Sequence, residues 1–175
     1  MKVVILSART GWHTDELCRA LAEHQHTNCV LPYEGLIGRL GTQPRAAEDR
    51  LPGDCGLSSE GTPIFDADAV LARIIPNGSL EQIIFRVNAL HWIEQRGVPV
   101  VNSPRAIERS VDKFYTTSLL QEAGLPTPET VVCEGAAEAM SAVRTMGDVV
   151  IKPIFGSMGH GLIRVSDPDL ALRVG

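Results

Sequence analysis

The run Val3-Val4-Ile5-Leu6, followed at once by Ser7-Ala8-Arg9-Thr10-Gly11, restricts the fold of this chain more than any other feature. An apolar run without alternation, rich in β-branched side chains, must be covered on both faces, as in a parallel strand flanked by helices. Leu17, Ala20 and Leu21 then recur at helical spacing, with Thr14 as the expected N-cap. This strand–loop–helix opening predicts a doubly wound α/β domain. Cys29-Val30-Leu31 predicts a second short strand, ended by Pro32.

Between Gly38 and Pro63 five glycines and three prolines mingle with charges, which predicts a loop or a mobile hairpin outside the core. Ala69-Val70-Leu71 restores the strand pattern and leads to Arg73 at a strand end. Ser79-Leu80-Glu81-Gln82 has the form of a capping box, and Leu80, Ile83, Ile84, Val87 and Leu90 trace one face of the helix it starts. Val98-Pro99-Val100-Val101 predicts a strand opening into Asn102-Ser103-Pro104, with Ser103 capping a helix whose first residue is Pro104. A helix over Val111–Ala123, stopped by Gly124 and Pro126, begins a second half of different character. That half is expected to hold a strand at Thr130–Val132, a helix at Ala136–Met146, a strand at Asp148–Pro153, its hairpin partner at Leu162–Val165, and a last helix capped at Asp167-Pro168. The domains are therefore expected at 1–101 and 102–175.

With 175 residues, 44% hydrophobic and 21% charged, the chain can bury a substantial core. A formal charge of −5 supplies no general attraction for nucleic acid or an anionic membrane, and no segment has the apolar length of a membrane span. A cytoplasmic location is the expectation. Cys18, Cys29, Cys55 and Cys133 lack ligand spacing, which predicts reduced cysteines, most of them packing residues, rather than a metal centre or a disulfide framework.

The residues with the strongest chemical implication are Val149-Val150-Ile151-Lys152-Pro153 and the following Gly156-Ser157-Met158-Gly159-His160-Gly161. The pattern G-x-x-G-x-G is neither the dinucleotide turn nor the P-loop, and by itself admits two readings, a hairpin turn or a backbone nest for phosphate. A lysine ending a hydrophobic strand either snorkels to solvent or meets an anion. Beside a glycine turn, the anion reading gains. Lys113 has an ordinary reading as a solvated helix residue, yet a second cation is what a triphosphate requires. These features together point to ATP chemistry.

Ser110-Val111-Asp112-Lys113, then Gly124-Leu125-Pro126-Thr127-Pro128-Glu129-Thr130, then Val150-Ile151-Lys152-Pro153 with the glycine loop, in this order and spacing, resemble the ATP-grasp ligases. Phe65-Asp66-Ala67 with Arg73, and Val101-Asn102-Ser103-Pro104, resemble the domain that precedes ATP-grasp in the RimK-type α-L-glutamate ligases. Gly78-Ser79-Leu80-Glu81-Gln82-Ile83-Ile84-Phe85-Arg86 and Lys152-Pro153-Ile154-Phe155-Gly156-Ser157 are most similar to the branch that glutamylates tetrahydromethanopterin.

The resemblance implies a pre-ATP-grasp α/β domain followed by a small α+β first lobe of an ATP-grasp domain. It implies that Lys113 and Lys152 hold ATP phosphates and that the loop Gly156, Ser157, Met158, Gly159, His160, Gly161 folds over them, with adenine resting on walls such as Ile151. Arg73, Asn102 and Ser103, and more weakly Ser7 and Arg9, become candidates for substrate, since they follow strand ends. For Ser103 the helix cap is the plainer reading. The implied reaction is carboxylate activation by ATP with Mg2+, followed by attack of the amine of L-glutamate on the acylphosphate of a small-molecule acceptor. It relies on positioning and charge neutralisation rather than on a protein nucleophile. The resemblance places the metal ligands in a second lobe, so the chain is expected to be a truncated part of a ligase, inactive alone, with homo-oligomerisation left open. Ribosomal-protein glutamylation, a non-catalytic nucleotide-binding module and an α/β scaffold are the competing readings.

Overall fold

The apolar N-terminal run lies in the middle of a parallel sheet. A computed structural model describes residues 1–41, 56–156 and 159–167. Its first part runs through β1 (Lys2–Leu6), α1 (Trp12–Glu23), β2 (Thr27–Leu31), β3 (Leu36–Arg39), β4 (Gly56–Ser59), β5 (Thr62–Pro63), β6 (Ala69–Ala72), α2 (Leu80–Gln95) and β7 (Val100–Val101). The remainder comprises α3 (Pro104–Val111), α4 (Lys113–Glu122), α5 (Ala136–Met146), β8 (Val149–Ile151) and β9 (Ile163–Val165). Two compact units result, Met1–Ile107 and Glu108–Gly175.

In the first unit β2, β1, β6 and β7 form a parallel sheet in that order. Val4, Ile5 and Leu6 have no exposed surface. Burying each side chain contributes on the order of 2 kcal/mol, which is why an unalternated run settles at the centre. The register sets Leu6 opposite both Leu31 and Ala72, and Leu71 opposite Val101. The carboxyl ends of the strands are thus level, and the loops after them open on one edge. The chain steps from β1 to β2 on one side, then crosses to β6 on the other, so the winding reverses between β1 and β6. This is the doubly wound arrangement, with crossovers through α1 and α2.

Several sequence expectations change. Thr14 is not the N-cap of α1: Gly11 is, and the Thr14 hydroxyl accepts the Gly11 N–H at 2.8 Å and donates to the Gly11 carbonyl at 2.7 Å. The stretch from Gly38 to Pro63 takes part in an antiparallel meander, β3-β4-β5, so of the expected loop or mobile hairpin it is the hairpin pairing that forms, but it joins the core rather than lying outside it. Leu57 and Ser59 are buried there, and the Ser59 hydroxyl donates to the Pro32 carbonyl at 2.8 Å. Residues 42–55, including Cys55, lie outside the described residues.

The buried face of α2 is Arg86, Val87, Ala89, Leu90 and Ile93, whereas Leu80 and Ile84 face solvent. The first turn of the helix therefore carries part of the expected stripe away from the core. Ser79 caps the helix as expected, accepting the Gln82 N–H at 3.4 Å while Gln82 accepts the Ser79 N–H at 2.9 Å. Ser103 caps α3 in the same way, accepting the Ala106 N–H at 3.2 Å.

The second unit has a thinner core, in which Val143 and Val165 are the buried apolar residues among those described. The helix expected over Val111–Ala123 is interrupted, because Asp112 ends α3 and starts α4 afresh. Thr130–Val132 form no ladder, since no described strand lies alongside them. The helix Ala136–Met146 and the β8-β9 hairpin fall where expected. Residues 168–175, where a last helix was expected, are outside the described residues. Cys18 and Cys29 are half-buried free thiols whose pKa values burial pushes up, whereas Cys133 is exposed. Among the described residues no helix is long and apolar enough to cross a membrane.

Candidate functional site

Lys113 owes its position to the break between α3 and α4. The Asp112 carboxylate accepts the Tyr115 N–H at 2.9 Å, which makes Lys113 the first residue of a capped helix. A backbone N–H at that position has no acceptor within its own helix. Here it donates to the Ile154 carbonyl at 3.3 Å. The Lys113 ammonium adds bonds to the carbonyls of Ile154 at 3.2 Å and Gly156 at 3.0 Å. Three donors therefore hold the chain just after β8. An ammonium has three N–H bonds, so one remains for a further acceptor.

Lys152 follows β8, is exposed, and has no hydrogen bond or ion pair among the described residues. Both lysines line the same cavity of ≈ 640 Å³. Val143 and Met146 of α5 and Val149 and Ile151 of β8 supply apolar wall to it. Its volume lies within the roughly 300–1,000 Å³ of small-molecule pockets, and an apolar wall with a few polar groups at one end is their usual chemistry. Two ammonium groups at such a cavity suit the phosphates of a nucleotide, and the wall suits its base.

The glycine loop is shaped by its left-handed positions. Gly161 has φ +74°, and a Cβ there would stand 3.2 Å from Cγ of Pro153. A side chain at Gly156, φ +143°, would start 4.0 Å from the Lys113 ammonium. Gly156, Gly159, His160 and Gly161 do not line the cavity itself, although the Gly156 carbonyl is bound by Lys113. His160 is exposed. Ser157 and Met158 lie outside the described residues.

The β8-β9 hairpin beneath the loop is held by a two-bond fork, in which Arg164 donates to Asp148 at 2.9 and 2.6 Å. This hydrogen bonding holds the Asp148 carboxyl below its ordinary pKa. A depressed carboxylate stabilises the fold above its unfolded-state pKa and loses that contribution as pH falls through the folded-state value. Protection of the Val149 and Val165 amides, corrected for intrinsic exchange, is accordingly expected to fall below about pH 4. In Asp148→Asn the same measurement should show no such step.

The first unit contains the other candidates. Arg73 follows β6, and Asn102 and Ser103 follow β7, all on the carboxyl edge of the sheet. Asn102 is exposed, and the Ser103 hydroxyl is taken up by its cap. Sequence reasoning missed the role of the Ile154 and Gly156 carbonyls, since backbone acceptors leave no mark in residue identity. Among the described residues no group of three or more His, Cys, Asp or Glu is placed to hold a metal ion.

Known proteins resemble the chain along most of its length. It is 41% identical over 105 residues, 60% of this chain and 32% of the relative, to the tetrahydromethanopterin:α-L-glutamate ligase of Methanosarcina acetivorans. The enzyme of the same name from Methanococcus maripaludis is 28% identical over 165 residues, 94% of this chain and 52% of its own length. The chain thus spans about half or less of these curated relatives. A RimK domain ATP-grasp protein from Sphaerobacter thermophilus superposes with a TM-score of 0.72 at 22% identity, covering 99% of this chain and 57% of the solved one. No family model matches. The chain thus has the fold of an ATP-grasp protein and is similar in sequence to tetrahydromethanopterin:α-L-glutamate ligases.

Proposed function

We propose that this chain is the nucleotide-holding part of an ATP-dependent carboxylate–amine ligase that adds L-glutamate to a tetrahydromethanopterin-type acceptor. The observation that carries this reading is the meeting of Lys113 and Lys152 at one cavity with an apolar wall. The first unit takes the part of the pre-ATP-grasp domain, and the second that of the first lobe. The names of the relatives support the choice of glutamate and acceptor.

In this reading Lys152, with no hydrogen bond or ion pair among the described residues, neutralises phosphate charge, and Lys113 uses its remaining N–H on the same group. Opposite charges placed before the reaction lower the cost of transferring the γ-phosphoryl to the acceptor carboxylate. The amine of glutamate then forms the amide bond as phosphate leaves. Mg2+ would neutralise phosphate charge in such chemistry and is usually held by one or two carboxylates. The described residues offer no cluster for it, so no step is assigned to the metal on this chain.

Isothermal titration of the chain with MgATP tests the reading. Saturable binding is expected, weakened at least tenfold in Lys152→Ala, while ADP release with glutamate and acceptor stays at background. Absence of binding by the wild type would favour the scaffold reading instead. ATP binding that does not respond to acceptor or glutamate would favour a non-catalytic module.

A further inference from the structure

Arg9 and Arg73 pair with no carboxylate among the described residues, and they lie where the sheet reverses its winding. β1 and β6 are adjacent parallel strands at that reversal. The crevice outside the carboxyl ends of such strands is where open α/β sheets take their ligands. The loop after β1 carries Arg9, and the loop after β6 begins with Arg73. The Ala8 N–H donates to the Ile74 carbonyl at 2.8 Å, and the Arg73 N–H to the Leu6 carbonyl at 2.8 Å, so the two loops are joined beside both arginines.

Both loops are also held from below. The buried Ser7 hydroxyl donates to the Arg9 carbonyl at 2.8 Å. Arg86, 5% exposed, donates through Nη1 to the Pro76 carbonyl at 2.7 Å and the Asn77 carbonyl at 3.3 Å, fixing the chain beyond Arg73. A guanidinium fully surrounded by protein has here been used to order a loop. Among the described residues no carboxylate pairs with Arg9 or Arg73, although acidic residues outnumber basic ones by 21 to 16.

We propose that Arg9 and Arg73 form an anion subsite at the β1/β6 switch point, taking a carboxylate or phosphoryl group of the acceptor substrate. A guanidinium presents paired donors in one plane, which suit both kinds of oxyanion. Loops fixed before binding keep the ordering cost low. Assigning the anion to the acceptor rests on the ligase reading, whereas binding of the anion does not.

The test titrates the wild-type chain with glutarate and, separately, with inorganic phosphate, following backbone amide signals. Saturable shifts centred on 8–12 and 73–78 are expected, with affinity at least tenfold lower in Arg9→Gln and in Arg73→Gln. Circular dichroism and MgATP affinity should stay within error of wild type in both variants. Tighter glutarate would assign a carboxylate, and tighter phosphate a phosphoryl group. Undiminished affinity in both variants, shifts confined to the second unit, or no binding of either anion would overturn the subsite. Anion binding without MgATP binding would sustain the subsite while removing the ligase reading.

Discussion

Lys113→Met is expected to weaken MgATP binding by about a hundredfold and, in the same protein, to expose the chain after β8 to hydrogen exchange. Its ammonium bonds the carbonyls of Ile154 and Gly156, which leaves a third N–H with no acceptor among the described residues. A charge-assisted hydrogen bond contributes roughly 1.5–3 kcal/mol, or about one to two decades in affinity, and the loosened loop adds to the loss. Lys152→Met removes a charge from the same cavity but no hydrogen bond to the described residues of the loop. Both variants should therefore lose affinity, while amide exchange between residues 154 and 156 should rise in Lys113→Met alone. Equal protection in the two variants would show that the bonds from Lys113 do not restrain the loop.

The second large effect concerns the core. Leu90 is completely buried on α2, whereas Leu80, on the stripe expected from sequence, is 66% exposed. Leu90→Ala removes a fully packed side chain and leaves a cavity, for which about 3 kcal/mol is the usual loss. For a unit of this size that lowers the melting temperature by on the order of 10 °C. Leu80→Ala should stay within about 0.5 kcal/mol of wild type. Comparable losses in the two variants, measured by denaturant unfolding, would mean that the helix presents a different face to the sheet.

The contrast between these leucines shows what could be read from residues alone. β1 and α5 were legible because a continuous apolar run and a helix bounded by glycines each carry their own stop signals. Position 80 was not, since Leu80 and Ile84 fit a helical stripe as well as Leu90 does, and only the sheet decides which part is covered. The meander was hidden for another reason. Its strands are short and glycine-bearing, and they persist through contacts distant in sequence, such as the bond from Ser59 to Pro32. Thr130–Val132 show the converse, a β-branched run with no described strand to pair with. At the candidate site the two lysines were legible from motif and resemblance. The carbonyls that hold Lys113 were not, because every residue has one.

Arg39 and Gly56 are register partners in the meander. The polypeptide therefore departs from and rejoins that small sheet at a single place, whatever length lies between. Doubling such an excursion costs only about 0.6 kcal/mol in chain entropy. A reporter peptide or an affinity tag spliced between Leu40 and Gly41, both exposed, should be carried with little thermal penalty, leaving both lysines untouched.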